Sequence, residues 1–305
     1  MKKVNKDREI FKSGFVSIIG RPNVGKSTLL NLILGEKISI TTKKPQTTRN
    51  RITGIKNLPS AQIVFWDTPG IHKARDILNK MMVKTALSTI SEVDVIFFMI
   101  DADKRSGQGD NFILSLLEAV KIPVILVINK IDLVQKGMLL PLIETMSKKY
   151  PFKEIVPLSS KTGEGLDRLM SIVVESINEG PRYFPDDIVT DMPERFIVSE
   201  IIREKILQRL HEEVPYLTAV EIEKFDEPQD RNVIIIHALI IVERDSQKGI
   251  IVGKGGKMIK TIGTLARKDM ESLLGTKVYL ELFVKVKSGW SRSAQSLRDL
   301  GLDEQ

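Results

Sequence analysis

The segment GRPNVGKS, residues 20–27, follows the apolar run Phe15–Ile19 and precedes a helix-like stretch. A glycine-rich turn between a buried strand and a helix places backbone amides around phosphate oxygens, so this segment predicts a phosphate-binding loop. Lys26 is then expected to bridge the β and γ phosphates, and Ser27 to bind Mg²⁺ directly. The alternative is a glycine turn that merely caps a helix. The predicted nucleotide-binding residues of this loop are Gly20, Arg21, Pro22, Asn23, Val24, Gly25, Lys26, Ser27 and Thr28.

Short apolar runs alternate with helix-like segments as far as residue 180. Their near-continuous hydrophobicity is typical of strands buried on both faces, and the intervals fit crossover helices. We therefore predict an α/β P-loop domain with a doubly wound, mostly parallel sheet, whose ligands bind at the carboxyl ends of the strands. The predicted strands are Phe15–Ile19, Gln62–Trp66, Val95–Ile100, Val124–Ile128 and Glu154–Leu158.

A DTPG motif follows the second predicted strand. Alone it is an ordinary turn sequence, but after a buried strand its carboxylate can hold a Mg²⁺-bound water and its glycine amide can contact the γ phosphate. Loss of that phosphate would release the segment. The predicted nucleotide-binding residues here are Asp67, Thr68, Pro69 and Gly70.

An NKID motif ends another predicted strand, and an SSK triplet ends the next. Asp132 can accept hydrogen bonds from guanine N1 and the 2-amino group, and would be left unpaired against adenine. The alternative role for Asp132, capping a helix, does not explain the SSK triplet. These motifs predict a guanine pocket formed by Asn129, Lys130, Asp132, Ser159, Ser160 and Lys161.

Between the phosphate-binding loop and the DTPG motif lies the polar stretch TTKKPQTTRN, residues 41–50. Its hydroxyls suit a switch loop that reaches Mg²⁺ in the triphosphate state, and Thr48 is preferred over Thr47. A solvated surface loop is the alternative. The residues expected to act in hydrolysis are Lys26, Thr48, Asp67 and Gly70, and those expected to hold the metal are Ser27, Thr48 and Asp67, the last through water.

Beyond a proline-containing segment near Gly180, the pattern changes to helix, strand, strand, helix, helix, strand, which predicts a smaller α+β domain. The predicted boundaries are 1–180 for the first domain, 181–193 for a linker, 194–288 for the second domain and 289–305 for a tail. We interpret Ile259 as a core residue of the second domain, and Trp290 as an anchor for the tail in preference to a base-stacking residue.

The amino-acid composition limits the kinds of metal site and binding partner that the chain can have. The chain has no cysteine and 3 histidines, so disulfides and thiolate metal sites are excluded and any metal should be oxygen-bound. The net charge is +7, and the segment 248–268 carries lysines and arginine without any acidic residue. Such a local excess of positive charge favours contact with nucleic acid or another acidic surface. No apolar run is long enough to span a bilayer, so we expect a cytoplasmic protein.

The basic segment contains a GKGG sequence just before a predicted helix. A loop of this kind can clamp a nucleic-acid backbone, because small residues permit close approach and helix N-terminal amides face phosphate. Taken alone, GKGG also fits a plain helix-initiating turn. The predicted RNA-binding residues are Gly253, Lys254, Gly255, Gly256, Lys257 and Lys260.

The motifs GRPNVGKST, PQTTR, DTPGIH and NKID resemble those of the Era family of GTPases, and the order around GKGG resembles a type II KH domain. The resemblance covers essentially the whole chain. It implies a Mg²⁺-dependent GTPase that binds GTP and GDP, binds the 3′ region of small-subunit (16S) ribosomal RNA and assists assembly of the 30S subunit. It also implies a weak peripheral contact with the inner face of the cell membrane, and we expect no stable protein partner.

The sequence departs from Ras-like GTPases at Ile71, where those proteins have the glutamine that orients the attacking water. We therefore expect slow intrinsic hydrolysis. Asn23 occupies the position of an asparagine that helps bind K⁺ in some related GTPases, so K⁺ stimulation is a hypothesis. The alternative function is a membrane-associated signalling GTPase whose small domain binds protein or lipid, since lysines serve either purpose.

Overall fold

The computed structural model describes residues 11–72, 76–104, 107–228 and 232–302. The chain packs into two compact units. Among the described residues, the first unit comprises those in the ranges 1–36, 53–68 and 87–191, and the second those in 37–52, 69–86 and 192–305. Two internal segments of the range 1–180 thus pack with the C-terminal part of the chain, and the domain boundaries remain a prediction.

The first unit contains a six-stranded sheet in the order β2-β3-β1-β4-β5-β6. Strand β1 is parallel to β3 and β4, and β4–β5 and β5–β6 are also parallel pairs. The strands are β1 Lys12–Gly20, β2 Ile52–Leu58, β3 Ala61–Asp67, β4 Val95–Asp101, β5 Val124–Asn129 and β6 Glu154–Pro157. All five predicted strands are present. Edge strand β2 was missed, and since only two residues join it to β3 it runs antiparallel to β3.

The helices that connect these strands are α1 Lys26–Leu34, α2 Ile77–Ser88, α3 Gln108–Leu117, α4 Leu139–Ser147 and α5 Leu166–Ser176. As far as residue 86, α2 packs with the second unit, whereas the other four belong to the first. Strands β3, β4 and β5 are buried at every residue, as expected for central strands of a doubly wound sheet. Their parallel arrangement brings the carboxyl ends of β1, β3, β5 and β6 to one edge, which is where the predicted nucleotide motifs begin.

The segment predicted as a linker, 181–193, has no helix or strand, but it packs on the first unit as far as residue 191. Gln62 Nε2 donates to the carbonyl oxygen of Phe184 at 2.8 Å, and the Ile55 amide donates to the Val189 carbonyl at 2.8 Å. The segment is therefore held against β2 and β3 by hydrogen bonds.

The second unit has the predicted order of helix, strand, strand, helix, helix, strand, followed by a short helix. Its elements are α6 Glu194–Arg209, β7 Thr218–Asp226, β8 Val233–Val242, α7 Asp245–Val252, α8 Lys257–Leu274, β9 Lys277–Val286 and α9 Ala294–Asp299. Strand β8 is antiparallel to β7 and parallel to β9. The core forms where the stripe Ile262, Ala266 and Met270 of α8 packs with α6 on one face of this sheet.

The other face of the sheet is partly covered by the tail and by α2. Trp290 is fully buried beside Leu239, Leu297, Leu78 and Met82, which confirms its interpretation as an anchor. No helix within the described residues is long and apolar enough to cross a membrane.

Candidate functional site

The phosphate-binding loop, residues 20–27, joins β1 to α1 and is closely surrounded by its own unit. Gly25 has φ +103°, and a Cβ placed on it would lie 2.3 Å from Asn129 Nδ2. A Cβ at Gly20 would lie 2.5 Å from the Met99 carbonyl oxygen. Neither position has room for a side chain, so the two glycines allow the turn to pack tightly against β4 and β5.

Lys26 is the first residue of α1, and its side chain is buried inside this loop. Its Nζ donates to the carbonyl oxygens of Gly20 at 3.3 Å and Arg21 at 3.2 Å. Burial lowers the pKa of Lys26 from 10.5 to about 8, and the nearby charge of Asp67 opposes that shift only in part. The loop therefore contains a buried cation with too little compensating negative charge, which a phosphate would supply.

Ser27, the second residue of α1, lies beside Asp67, the last residue of β3. The Ser27 hydroxyl donates to Asp67 Oδ2 at 2.6 Å, and the Asp67 side chain is fully buried. Thr68 donates from its hydroxyl to the Ile18 carbonyl at 2.7 Å, which fixes the strand end that carries Asp67. A hydroxyl beside a carboxylate is an oxygen donor set of the kind that Mg²⁺ prefers, so these residues fit the predicted metal.

Asn129 and Lys130 connect the base-recognition motif to the phosphate loop. Asn129 Nδ2 donates to the Val24 carbonyl at 2.8 Å, while its Oδ1 accepts from the Ser160 amide at 2.9 Å. Lys130 Nζ donates to the Asn23 carbonyl at 2.9 Å. The loops after β1, β5 and β6 are thereby joined through side chains of a single motif.

Asp132, the predicted guanine-specificity carboxylate, is exposed but held in place. The Ser159 hydroxyl donates to Asp132 Oδ1 at 2.6 Å and accepts from the Lys161 amide at 3.3 Å. An exposed and oriented carboxylate can accept two hydrogen bonds from the edge of a guanine base.

One neighbour of the phosphate loop, Asp110, was missed in the sequence. Arg21 Nε lies 2.7 Å from Asp110 Oδ1, and the Asp110 side chain is fully buried. Asp110 Oδ2 also accepts from the Gly107 amide at 3.1 Å at the start of α3. Burial raises the pKa of Asp110, although the Gly107 amide and the Arg21 charge oppose that rise. The carboxylate could have been predicted as a helix cap, but no local pattern indicated its pairing with Arg21.

Thr48 and Gly70 belong to the second unit, whereas Lys26, Ser27 and Asp67 belong to the first. The Thr47 hydroxyl donates to the Lys44 carbonyl at 2.8 Å inside its own loop, while Thr48 is buried. The Gly70 carbonyl lies 2.9 Å from His72 Nδ1. Ile71, between them, is fully buried and presents no polar group that could orient a water.

The GKGG loop, residues 253–256, lies between α7 and α8. Gly253, Gly255 and Gly256 all have left-handed backbone conformations, with φ of +69°, +60° and +74°. A Cβ at Gly253 would lie 2.7 Å from Met258 Cβ, whereas at Gly255 and Gly256 it would meet no atom of the described residues within 4 Å. The tip of the loop is therefore open to a ligand, and α8 begins directly behind it.

A groove of about 380 Å³ runs between α8 and β9. Leu280 and Leu282 form its apolar side, and Lys260 and Arg267 contribute positive charge. Ile259 also lines this groove and is only partly buried, so its interpretation as a core residue was wrong. The reason is position along the helix: Ile259 shares the face of Ala266 and Met270, but it lies in the first turn of α8, beside the open groove.

Known proteins with similar sequences place the chain in a family. A family model described as a 50S ribosome-binding GTPase matches residues 15–130, and a KH domain model matches residues 213–291. The GTPase Era of Geobacter metallireducens is 58% identical over 291 residues, which cover 95% of this chain and 98% of that protein. The chain belongs to the Era family of GTPases. The GTPase Era of Geotalea daltonii is 57% identical and covers 96% of this chain and 98% of its own length.

Solved structures of Era agree with this assignment. A variant of Aquifex aeolicus Era bound to GDP·AlF₄⁻ matches with a TM-score of 0.94 and 44% identity, over 96% of this chain and 100% of that one. Era in complex with MgGDPNP and nucleotides 1506–1542 of 16S ribosomal RNA matches with the same values. The predicted family, the P-loop domain followed by a KH domain, and the GTPase activity are confirmed.

Proposed function

We propose that this protein is a Mg²⁺-dependent GTPase switch that binds the 3′ region of 16S ribosomal RNA and assists assembly of the 30S subunit. The observation that carries the proposal is the open GKGG loop and its groove, in the same chain as a guanine-nucleotide site. The GTPase family description names the 50S subunit, whereas the Era complex contains 16S RNA. We follow the latter because that match covers 96% of the chain, including both domains.

In the nucleotide site, Ser27 would bind Mg²⁺ directly and Asp67 would bind it through water, with Thr48 joining them in the triphosphate state. The metal would neutralise charge on the β and γ phosphates. Lys26 would contribute its ammonium group to the same phosphates, and the Gly70 amide would contact the γ phosphate. Hydrolysis would remove the group that Thr48 and Gly70 recognise and so release their segments.

The apolar side chain of Ile71 cannot orient the water that attacks the γ phosphate, so another group must do so. The K⁺ hypothesis supplies one, because Asn23 lies in the phosphate loop and a bound cation there would add positive charge near the phosphates. Comparing turnover in K⁺ and Na⁺ at equal ionic strength tests it. Equal rates would exclude a role for K⁺.

The shape and charge of the second domain support the proposed RNA site. Exposed lysines at 254, 257 and 260 surround a loop whose glycines admit close approach, and the N-terminus of α8 adds a favourable dipole for phosphate. The groove offers an apolar side for bases and cations for the backbone. This combination suits single-stranded RNA, whose unstacked bases can enter a narrow groove.

The two activities are linked if the GTP state binds RNA more tightly than the GDP state. Thermodynamic reciprocity then requires RNA to strengthen GTP binding by the same factor. Unequal factors would contradict the proposed cycle.

The decisive experiment measures binding of a single-stranded RNA from the 3′ end of 16S RNA, with a GTP analogue or GDP, to wild type and to Lys254→Asp/Gly255→Asp. We expect analogue-favoured binding that the double variant loses, while GTP turnover without RNA persists. Lys224→Ala is a control, since that lysine lies on β7 beside Asp226. Equal, weak binding by wild type and double variant would contradict the RNA-binding role.

The same exposed lysines would suit anionic lipid headgroups, so a membrane-associated signalling GTPase is the second candidate. Sedimentation with anionic vesicles distinguishes the two. Vesicle binding that survives saturating RNA and requires Lys254 and Lys257 would favour the second candidate.

A further inference from the structure

The segment 37–52, here called the anchored loop, carries Thr47 and Thr48 and packs within the second unit. It has no helix or strand up to Arg51, yet Thr48 and Arg49 in its middle are buried. Loops normally run over the surface, because their backbone polar groups need water or other partners. The partners of this loop explain its burial.

The N-terminal part of the anchored loop is held by buried charge. Glu204 of α6 is fully buried; its Oε1 accepts from the Thr41 amide at 3.0 Å, and its Oε2 accepts from Lys37 Nζ at 2.6 Å. Asp269 of α8 accepts from Lys37 Nζ at 3.0 Å and from Lys205 Nζ at 2.5 Å. The loop thus supplies one of the two lysines that neutralise this pair of carboxylates, one of which lies on the helix behind the GKGG loop.

The backbone just before Thr48 is held by Arg203 of α6. Its Nη2 donates to the Thr47 carbonyl oxygen, and the same guanidinium donates to both oxygens of Glu200 at 2.7 and 2.6 Å. Arg203 is 3% exposed. Because Glu200 fixes the guanidinium on α6, the Thr47 carbonyl has a rigid donor to pack against.

Just after Thr48 the donor belongs to the loop and the acceptors belong to the rest of the second unit. Arg49 donates from Nη1 to the Thr218 carbonyl at 2.8 Å and from Nη2 to the Tyr216 carbonyl at 2.6 Å. Thr218 is the first residue of β7, and Tyr216 lies in the helical turn just before it. A guanidinium spans two acceptors with one planar group, which the single ammonium of lysine cannot reproduce.

Charge makes this arrangement unfavourable unless its geometry is kept. Arg49 and Arg203 are both buried, and their guanidinium groups donate to the carbonyl oxygens of Thr47, Tyr216 and Thr218. Burying a cation beside another cation is costly, and the penalty is offset only while all of its hydrogen bonds are made.

We propose that Arg49 and Arg203 are positioning residues that hold the anchored loop on both sides of Thr48 and so fix the backbone that carries this predicted Mg²⁺ ligand. The inference rests on the proposed role of Thr48 in the nucleotide site. It goes beyond that role by assigning the placement of Thr48 to two arginines: Arg203, which lies on α6, and Arg49, which contacts the first residue of β7.

The test uses the full chain and the variants Arg49→Lys, Arg203→Met and Thr48→Ala. Arg209→Met is the matched control, because Arg209 is an exposed arginine on the same helix as Arg203. The chain has no cysteine, so Pro45→Cys in the exposed part of the loop provides a single site for a spin label. The readouts are label mobility, the Mg²⁺ concentration for half-maximal hydrolysis, kcat, and GDP affinity, which does not need Thr48.

We expect Arg49→Lys and Arg203→Met to free the label, to raise the Mg²⁺ requirement, and to lower kcat by about 10- to 100-fold, as expected when a reacting group is displaced by about 1 Å. GDP affinity should stay within about twofold of wild type, because only the triphosphate state uses Thr48. Arg209→Met should match wild type in every readout. If Arg203→Met does not fold, Arg49→Lys alone decides the test.

An immobile label in Arg49→Lys, or a mobile label with unchanged kcat and Mg²⁺ requirement, would overturn the proposal. A different result would contradict the proposed function instead. If Thr48→Ala kept the Mg²⁺ requirement of wild type, Thr48 would not be a Mg²⁺ ligand. The two failures are therefore distinguishable within one set of variants.

Discussion

The molecule contains two glycine-rich loops that precede helices, and they differ in how closely they are surrounded. In the phosphate loop, a Cβ at Gly25 would lie 2.3 Å from Asn129 Nδ2. In the GKGG loop, a Cβ at Gly255 would meet no described atom within 4 Å. Both glycines have positive φ, so backbone conformation alone does not separate the two loops.

The cations of the two loops differ in the same way. Lys26 is 6% exposed and lacks full compensation for its charge, whereas Lys254 and Lys257 are exposed. A closed loop with a buried cation fits a compact ligand that enters it completely, such as a phosphate chain. An open loop with solvated cations fits a polymer, which can bind along the surface without its ends entering a closed pocket. Similar local sequences can thus suit different ligands because of what packs around them.

The largest effect should come from filling the closed loop. Gly25→Ala would force the new methyl group into Asn129 and a left-handed backbone, so the loop amides would move away from the phosphates. Losing one or two hydrogen bonds to charged groups, at about 1.5–3 kcal/mol each, lowers GTP affinity by about 100-fold. Isothermal titration with GTP measures this.

The matched control for this prediction is Gly35→Ala at the other end of α1. Gly35 has φ +81° but no described atom within 4 Å of its Cβ position, so the variant carries the backbone strain without the clash. It should be destabilised by about 1 kcal/mol and bind GTP normally. Equal GTP affinity for both variants would show that the tight surroundings of Gly25 do not matter.

A second prediction concerns the groove between α8 and β9, next to the open GKGG loop. Gly263→Val on α8 places bulk in the groove, since even a Cβ there would lie 3.3 Å from Leu282 Cδ1. Excluding one base, worth about 1–3 kcal/mol, should weaken RNA binding by about 10-fold, measured by fluorescence anisotropy. Thr261→Val, at an exposed position of the same helix, is the control. Unchanged RNA affinity in Gly263→Val would exclude the groove as a base-binding site.

The sequence predicted what is local and repeated in motifs. The phosphate loop, the buried strands and the order of the second domain depend on short-range patterns, such as the apolar run of β5 before Asn129. Strand β2 was missed because its mixed sequence ITGIKNL lacks a clear period, and only pairing with β3 makes it a strand. Pairings across long separations, such as Arg21 with Asp110 or Arg49 with the Thr218 carbonyl, leave no local pattern.

The smallest expected effect is proton uptake on nucleotide binding, which tests whether the closed loop differs from the open one in electrostatics as well as in shape. The folded-state pKa of Lys26 is lowered to about 8, mainly by burial, and entering phosphates should raise it again. At pH 8 the free protein should therefore take up about half a proton at Lys26 when GDP binds, and GDP affinity should fall as the pH rises from 8 to 10. Titration calorimetry in buffers of different ionisation enthalpy measures the uptake, and Lys26→Met, which should lack it, corrects for protons gained or lost by the nucleotide.

The same shift fixes the sign of a stability change in the nucleotide-free protein. Between pH 8 and 10.5 the unfolded chain holds more protons at Lys26 than the folded chain, because the ordinary lysine pKa is 10.5 and the folded value is about 8. The contribution of Lys26 to the free energy of unfolding must then rise with pH across that window, by the linkage between proton binding and stability. Below pH 8 the buried charge is present in full, and its desolvation penalty is largest. Chemical denaturation of wild type and Lys26→Met at pH 7 and pH 9.5 isolates this contribution. A difference between the two proteins that stays constant with pH would mean that Lys26 is as well solvated as the lysines of the GKGG loop.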